Sequence, residues 1–281
     1  MDNRATNLED YTPYSIQAPR DPRLPGGGGY TISGLYNLVP SKVGMVDELA
    51  QSSKNFGDQE ENWQGFDLYA VARLGWGLTV QGGTSTGRRL ADACAVRAKL
   101  PELGASPTGQ PNSSVTANVL VTTSRGSLSV TNPHCRYREP YRTDFRGLAT
   151  YTIPRADVQV ALTWISVPGE YLEANFVADN AWIAAGPQPL GRSLTGAAVA
   201  TVNLLTPYTV FAERRNNMDF RVAKIFRLGG RRAQVGLDLY NLMNVDVVTA
   251  YNQTFVPGGP WLTPTAIQPA RYARISAQID F

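Results

Sequence analysis

Arg271-Tyr272-Ala273-Arg274-Ile275-Ser276-Ala277-Gln278-Ile279-Asp280-Phe281 is the stretch on which the fold turns. Ala273, Ile275, Ala277, Ile279 and Phe281 alternate with Arg274, Ser276, Gln278 and Asp280, and a period of two predicts a strand with one apolar and one polar side. The apolar side needs a second layer. In a soluble sandwich that layer is protein, but lipid serves equally, and about nine to eleven tilted residues cross a bilayer as a strand.

The same alternation recurs upstream in three hairpins. Phe66, Leu68, Ala70, Ala72 and Leu74 alternate with Asp67, Tyr69, Val71 and Arg73; a Gly75-Trp76-Gly77 turn follows, then Leu78, Val80, Gly82 and Thr84 alternate with Thr79, Gln81, Gly83 and Ser85. The second hairpin is 146–153, a turn at Pro154-Arg155-Ala156, and Val158 to Trp164. The third is 218–228, Gly229-Gly230-Arg231, and Ala233 to Tyr240. With 30–38 as a first strand and 271–281 as the last, eight strands result. Their connections run long, short, long, short, long, short, long. Loops past about fifteen residues are uncommon in soluble domains, whereas outer-membrane barrels have short periplasmic turns and long extracellular loops. The predicted fold is therefore all-β: an antiparallel transmembrane β-barrel segment over residues 30–281, preceded by an irregular segment, 1–29, rich in Pro and Gly. Lys224 conflicts with this scheme, because it falls on the apolar face of Met218, Phe220, Val222, Phe226 and Leu228, where a mid-membrane cation costs about 2–4 kcal/mol.

Composition agrees with many-stranded structure. Of 281 residues, 43% are hydrophobic and only 17% charged, with 26 Gly and 13 Tyr. No apolar run reaches the length of a transmembrane helix, which excludes a helical membrane protein and leaves a barrel open. A net charge of +3 with scattered basic residues does not point to nucleic acid. Residues 1–20 lack the basic start and apolar stretch of a secretory signal. The chain is therefore expected either to stay in the cytoplasm or to be the C-terminal part of a longer exported protein. Cys94 and Cys135 lie one in each half of a long polar segment and, in an oxidising compartment, are expected to close it as a disulfide. The single histidine, His134, sits beside Cys135 with no second ligand pair, so no metal or other cofactor is expected.

Little in the chain suggests catalysis, and no enzyme is expected. Gly83-Thr84-Ser85-Thr86-Gly87 fits G-x-S-x-G, but it continues an alternating strand where a nucleophile elbow needs a strand, a turn and a helix. Gly26 to Gly29 has no following lysine or helix and reads as a turn. Asp219, Asp238 and Asp280 are placed to pair with Arg221, Arg227, Arg232 and Arg274 across the polar side. Arg73, Arg146, Arg221, Arg227 and Arg274 all project to that side, which makes a basic wall suited to an anionic solute or a carboxylate-bearing plug. Trp182 and Trp261, with Tyr171, Phe176, Tyr251 and Phe255, lie in the long connections, where gripping an external ligand and packing the loops are both open readings.

Several stretches taken together carry a family resemblance. Pro22-Arg23-Leu24-Pro25-Gly26-Gly27-Gly28-Gly29-Tyr30, the strand end Gly82 to Gly87, Asp238-Leu239-Tyr240-Asn241-Leu242-Met243-Asn244, and the closing strand with its aromatic Phe281 resemble the C-terminal barrel region of TonB-dependent receptors, in particular the type with a carboxypeptidase-regulatory-like domain. The resemblance covers nearly the whole chain from Tyr11 onward. It implies a membrane protein of the bacterial outer membrane: a twenty-two-stranded receptor barrel, surrounded by lipid and filled by a plug, that takes up a siderophore, glycan or similar ligand with energy from TonB. It also implies that Phe281 is read by the barrel assembly machinery. The chain departs from the family in showing neither plug nor TonB-contacting segment and only eight strands. It thus looks like the last third of such a receptor, a fragment whose plug and TonB contacts belong to the missing N-terminal part. Two other architectures stay open: a free-standing small outer-membrane barrel acting as pore or adhesin, and a soluble β-sandwich binding module.

Overall fold

The computed structural model describes residues 2–3, 8–43, 45, 48–49, 52–101, 120–123, 126–131, 133–228 and 231–280. The protein is all-β and mostly antiparallel. Its main sheet is a meander of seven strands: β1 (Glu60–Leu74), β2 (Leu78–Asp92), β3 (Arg142–Ile153), β4 (Val158–Val167), β5 (Arg215–Leu228), β6 (Arg231–Tyr240) and β7 (Tyr272–Asp280). Each strand pairs with the next in sequence, and the three-residue strand Arg136–Arg138 adds to the far end of β2. Among the described residues β1 and β7 have no second neighbour, so the sheet is open.

Register decides what the alternation achieves. Residues directly opposite across an antiparallel pair share a face. Leu68 is opposite Thr84, Thr84 opposite Phe145, Leu162 opposite Phe220, Val222 opposite Leu237, and Leu237 opposite Ile275. One face is therefore apolar across all seven strands, as a slip of one residue anywhere would prevent. Nothing covers it. Phe66, Leu68, Leu74, Phe145, Trp164, Phe226, Val235, Leu237, Ile275 and Ile279 are all exposed, Ile275 by 79%. Covering one such side chain is worth about 1.5–3 kcal/mol.

The connections sort by end. The β1–β2 and β3–β4 turns lie at one end, together with the junction of β5 and β6, whose residues 229–230 are outside the described set. β7 runs towards this same end, since Asp280 lies opposite Arg232, and Phe281 is outside the described residues. Trp76 and Arg155 adopt left-handed backbone at the tight turns, with φ 64° and 66°. Lys224 is opposite Val158, beside the β3–β4 turn, and its Nζ donates to the carbonyl of Ala156 at 2.5 Å. The cation that conflicted with the apolar face thus sits beside the end of the β3–β4 hairpin, while Phe226 and Ile279 carry the face of β5 and β7 further towards the short-turn end.

The long connections build their own layer, with the molecule's main hydrophobic core. Thr31–Leu38, expected as the first strand of the barrel, instead pairs with Tyr11–Gln17. The main sheet consequently has seven long strands where eight were expected, and the segment read as irregular from 1 to 29 contains a strand. Pro13 and the lack of a two-residue period hid that strand; Tyr14, Ser15 and Ile16 are all buried, so both its sides are covered. A five-stranded mixed sheet runs in the order Thr254–Phe255, Asn175–Asp179, Val199–Asn203, Gly126–Thr131, Leu120–Thr123. Its last pair is antiparallel, and residues 102–119, 124–125 and 132 around it are outside the described residues. Ile16, Leu35, Ile183, Val202, Leu205 and Phe255 are the largest fully buried apolar side chains of the core among the described residues.

Candidate functional site

The polar face of the main sheet carries the basic residues expected there. Arg221 and Arg274 stand on either side of Asp238, in strands β5, β7 and β6, and the register puts all three in one row. Arg221 Nη1 donates to Asp238 Oδ1 at 2.6 Å, and Arg274 Nη2 donates to Oδ2 at 3.1 Å. The Asp238 side chain is only 8% exposed, against 59% for Arg274. Arg227 pairs with Asp157 at 2.9 Å, and Arg146 lies 4.0 Å from Asp144. Arg73 is on the same face opposite Thr79. Of the expected carboxylate pairings, that of Asp238 is formed. Asp280 is opposite Arg232 in register. Asp219 is engaged differently: its Oδ1 accepts from Asn217 Nδ2 and from the backbone N–H of Asn241.

Two adjoining cavities open where this face meets the loop layer. The first, about 310 Å³, is lined by Ile165, Arg215, Asn217, Asp219, Tyr240, Gln268 and Tyr272 among others. The second, about 220 Å³, is lined by Glu170, Tyr171, Glu213, Arg215, Tyr251 and Gln253 among others. Arg215 and Thr249 belong to both. The rings of Tyr240 and Tyr272 stack with centroids 4.7 Å apart, and Gln268 Nε2 donates to Asn217 Oδ1 at 2.7 Å. Gln268 Oε1 is buried and has no hydrogen-bond partner among the described residues. The chemistry on offer is hydrogen bonding, one guanidinium, three carboxylates and an aromatic platform, which suits a polar ligand of small to moderate size.

The asparagines of Asp238 to Asn244 shape this region. Asn241 and Asn244 take φ 51°, a conformation that asparagine tolerates, and turn the chain out of β6. Asn241 Nδ2 donates to the carbonyls of Val245 and Pro269, while Asn244 Oδ1 accepts from the N–H of Arg271. This motif therefore ties the start of β7 to the end of β6.

Trp182 and Trp261 lie in the loop layer and line neither cavity. Trp182 Nε1 donates to the Gln17 carbonyl at 2.9 Å, and Trp261 Nε1 to the Glu173 carbonyl at 3.0 Å. Trp261 packs edge-on against Phe255, with the Arg23 guanidinium above both rings. Of the two open readings, packing accounts for these contacts. Arg23 also clamps Asp21 and donates to the carbonyls of Val256 and Gly259, so the Pro-Gly segment is fastened to the last long connection. That clamp and the Gly258 N–H hold the Asp21 carboxyl well below its usual range. Gly28 has no alternative here, since a Cβ would stand 1.9 Å from the Pro19 carbonyl oxygen.

Glu173 is buried at the centre of the loop layer. Burial pushes its pKa up, partly offset by hydrogen bonds from Asn175 Nδ2 and the Tyr171 hydroxyl, both at 3.1 Å. Cys94 and Cys135 are disulfide-bonded as expected. Ser85 lies inside β2, opposite Asp67 and Asp144, without an elbow, while His134 is in the loop held by the disulfide, with Arg97 donating to its carbonyl. Of the residues that line the two cavities, Tyr171 and Tyr251 were among the loop aromatics singled out from sequence, and most of the others were missed. Asp219 and Tyr240 were visible as strand residues, but Arg215, Asn217, Gln268 and Tyr272 come together only through the fold. Searched against protein-family models and against curated protein sequences, the chain matches none.

Proposed function

We propose that this chain supplies consecutive strands to the wall of an outer-membrane β-barrel, as the C-terminal region of a TonB-dependent receptor that takes up a ligand from outside the cell. One observation carries the membrane part of this reading: a continuous apolar face across seven strands lies uncovered, while the loops keep a core of their own. From Phe145 to Ile153 that face runs about 27 Å along β3, which tilted as in barrels covers roughly 20 Å, near the height of a barrel's apolar band. The unpaired edges of β1 and β7 follow the same logic, because backbone groups in lipid require partners and further strands would provide them.

The receptor part rests on the resemblance of the Pro-Gly, Asp238 to Asn244 and closing segments. Within it, the polar face lines the barrel interior, the loop layer faces outward, and the cavities around Arg215 stand at the mouth. Plug and TonB contacts belong to other parts of the receptor, and Phe281 to recognition by the assembly machinery. A free-standing eight-stranded barrel is less well supported, since Thr31–Leu38 pairs with Tyr11–Gln17 and not with β7. A soluble sandwich needs a layer over Phe66 and Leu68, which are 59% and 65% exposed.

The test is the behaviour of the full chain with and without detergent after refolding from denaturant. Folding only in micelles or vesicles, with β-sheet circular dichroism and protection of the strands from protease, is the expected result. A monodisperse folded monomer in detergent-free buffer ends the reading.

A further inference from the structure

The short-turn rim of the main sheet carries more positive charge than the polar face uses. Arg73, Arg155, Lys224, Arg227, Arg231 and Arg232 are within or near the three turns, against Asp157 and Asp280. Asp157, the acid of the β3–β4 turn, is already engaged by Arg227 on the polar face. On the opposite, apolar side of that turn stands Lys224, exposed, its Nζ 6.0 Å from the Phe226 ring. Its one hydrogen bond to Ala156 leaves two ammonium protons for another acceptor. Arg155 is exposed in the turn itself. Neither cation has an ion pair among the described residues. The neighbouring β1–β2 turn carries Trp76, 86% exposed, and the turns adjoin, with the Thr152 carbonyl 3.0 Å from where a Cβ on Gly77 would be.

We propose that Lys224 and Arg155, flanked by Trp76, form a binding site for the phosphate of an anionic phospholipid headgroup. The inference rests on the membrane reading above. At the β3–β4 turn the apolar side gives way to two cations without ion pairs among the described residues, next to the exposed indole of Trp76, which is the order of a lipid's own parts: acyl chain, then phosphate at the interface, where tryptophan also settles. The ammonium supplies a point charge and the guanidinium a fork that matches a phosphate's oxygens. The site also fixes which way the sheet stands, with its short-turn end in a leaflet that contains anionic phospholipid.

The experiment measures partition of the full chain into phosphatidylcholine vesicles with and without phosphatidylglycerol, by flotation. Partition is expected to rise with phosphatidylglycerol and the gain to vanish at high salt. R155Q and K224Q are each expected to remove about fivefold of the gain, the effect of one cation near an anionic surface. K224R keeps the charge and is expected to retain it, R155K keeps the charge without the fork and is expected to retain it only in part, and R227Q, engaged on the other face, is expected to leave it unchanged. Equal partition into both vesicle types, or a gain insensitive to R155Q and K224Q, overturns the headgroup site and leaves the membrane reading intact. Loss of the gain to inorganic phosphate at constant ionic strength overturns it in favour of a free-phosphate site. Failure to enter vesicles of either composition overturns the membrane reading, and this inference with it.

Discussion

Single residues on the polar face and in the loop layer hold opposite kinds of charge problem. Asp238 is nearly buried and satisfied by two arginines, so D238N leaves both guanidiniums facing a neutral amide. Losing one partner of a buried pair costs about 3–5 kcal/mol, but Arg274 is more than half exposed, so a loss of about 1–3 kcal/mol is expected. The measurement is the urea midpoint in micelles; an unchanged midpoint would show that solvent screens the cluster. Glu173 poses the reverse problem, an acid whose folded-state pKa lies above its unfolded value. The folded state then keeps a proton that the unfolded state has lost, so this group's contribution falls as pH rises from about 4 through the raised pKa. His134, whose pKa burial and the Arg97 charge push down, gives the opposite slope around its unfolded value of about 6.5. Melting of the loop layer should therefore be compared between wild type and E173Q across this range. The variant is expected to lose the descending part; parallel profiles would exclude Glu173 as its source.

Strands answer to the face they present. L237R puts a cation in the middle of the apolar face, where insertion into lipid is opposed by about 2–4 kcal/mol. V71R, on the polar side of β1 at an exposed position opposite Gln81, is expected to change stability by about 0.5 kcal/mol or less. Refolding yield into vesicles should separate the two variants. Equal yields would mean that the face is not in lipid. Lys224, the cation on this face in the native chain, stands beside the β3–β4 turn and donates to the carbonyl of Ala156.

Across the whole molecule, the sheet and the loop layer draw stability from different sources. The loops have a protein core and a disulfide that spans 41 residues of sequence. In the chain-entropy account, a loop of that length gives about 4 kcal/mol, lost when the bond is reduced. Dithiothreitol, or C94S with C135S, should lower the melting temperature of the loop layer while the micelle-bound strands keep their protease resistance. Simultaneous collapse of both would show that the layers fold as one unit.

Much of the main sheet was legible because a half-apolar strand writes its faces into every second residue. The alternations at Phe66 to Leu74, Val158 to Trp164 and Tyr272 to Asp280 determined strand identity and facing, and the short turns of the hairpins determined which strands are neighbours. Glu60 to Gly65 escaped notice, since the strand continues there past its apolar residues. The loop layer was illegible for a related reason. Its strands are short, covered on both sides or paired in parallel, so no period of two marks them. Tertiary structure alone decided that Thr31–Leu38 leaves the main sheet for Tyr11–Gln17, and that Arg215, Asn217, Gln268 and Tyr272 meet around one cavity. Local sequence sets which way a side chain faces within its strand, whereas the partner across a long connection is chosen by packing between segments far apart in the chain.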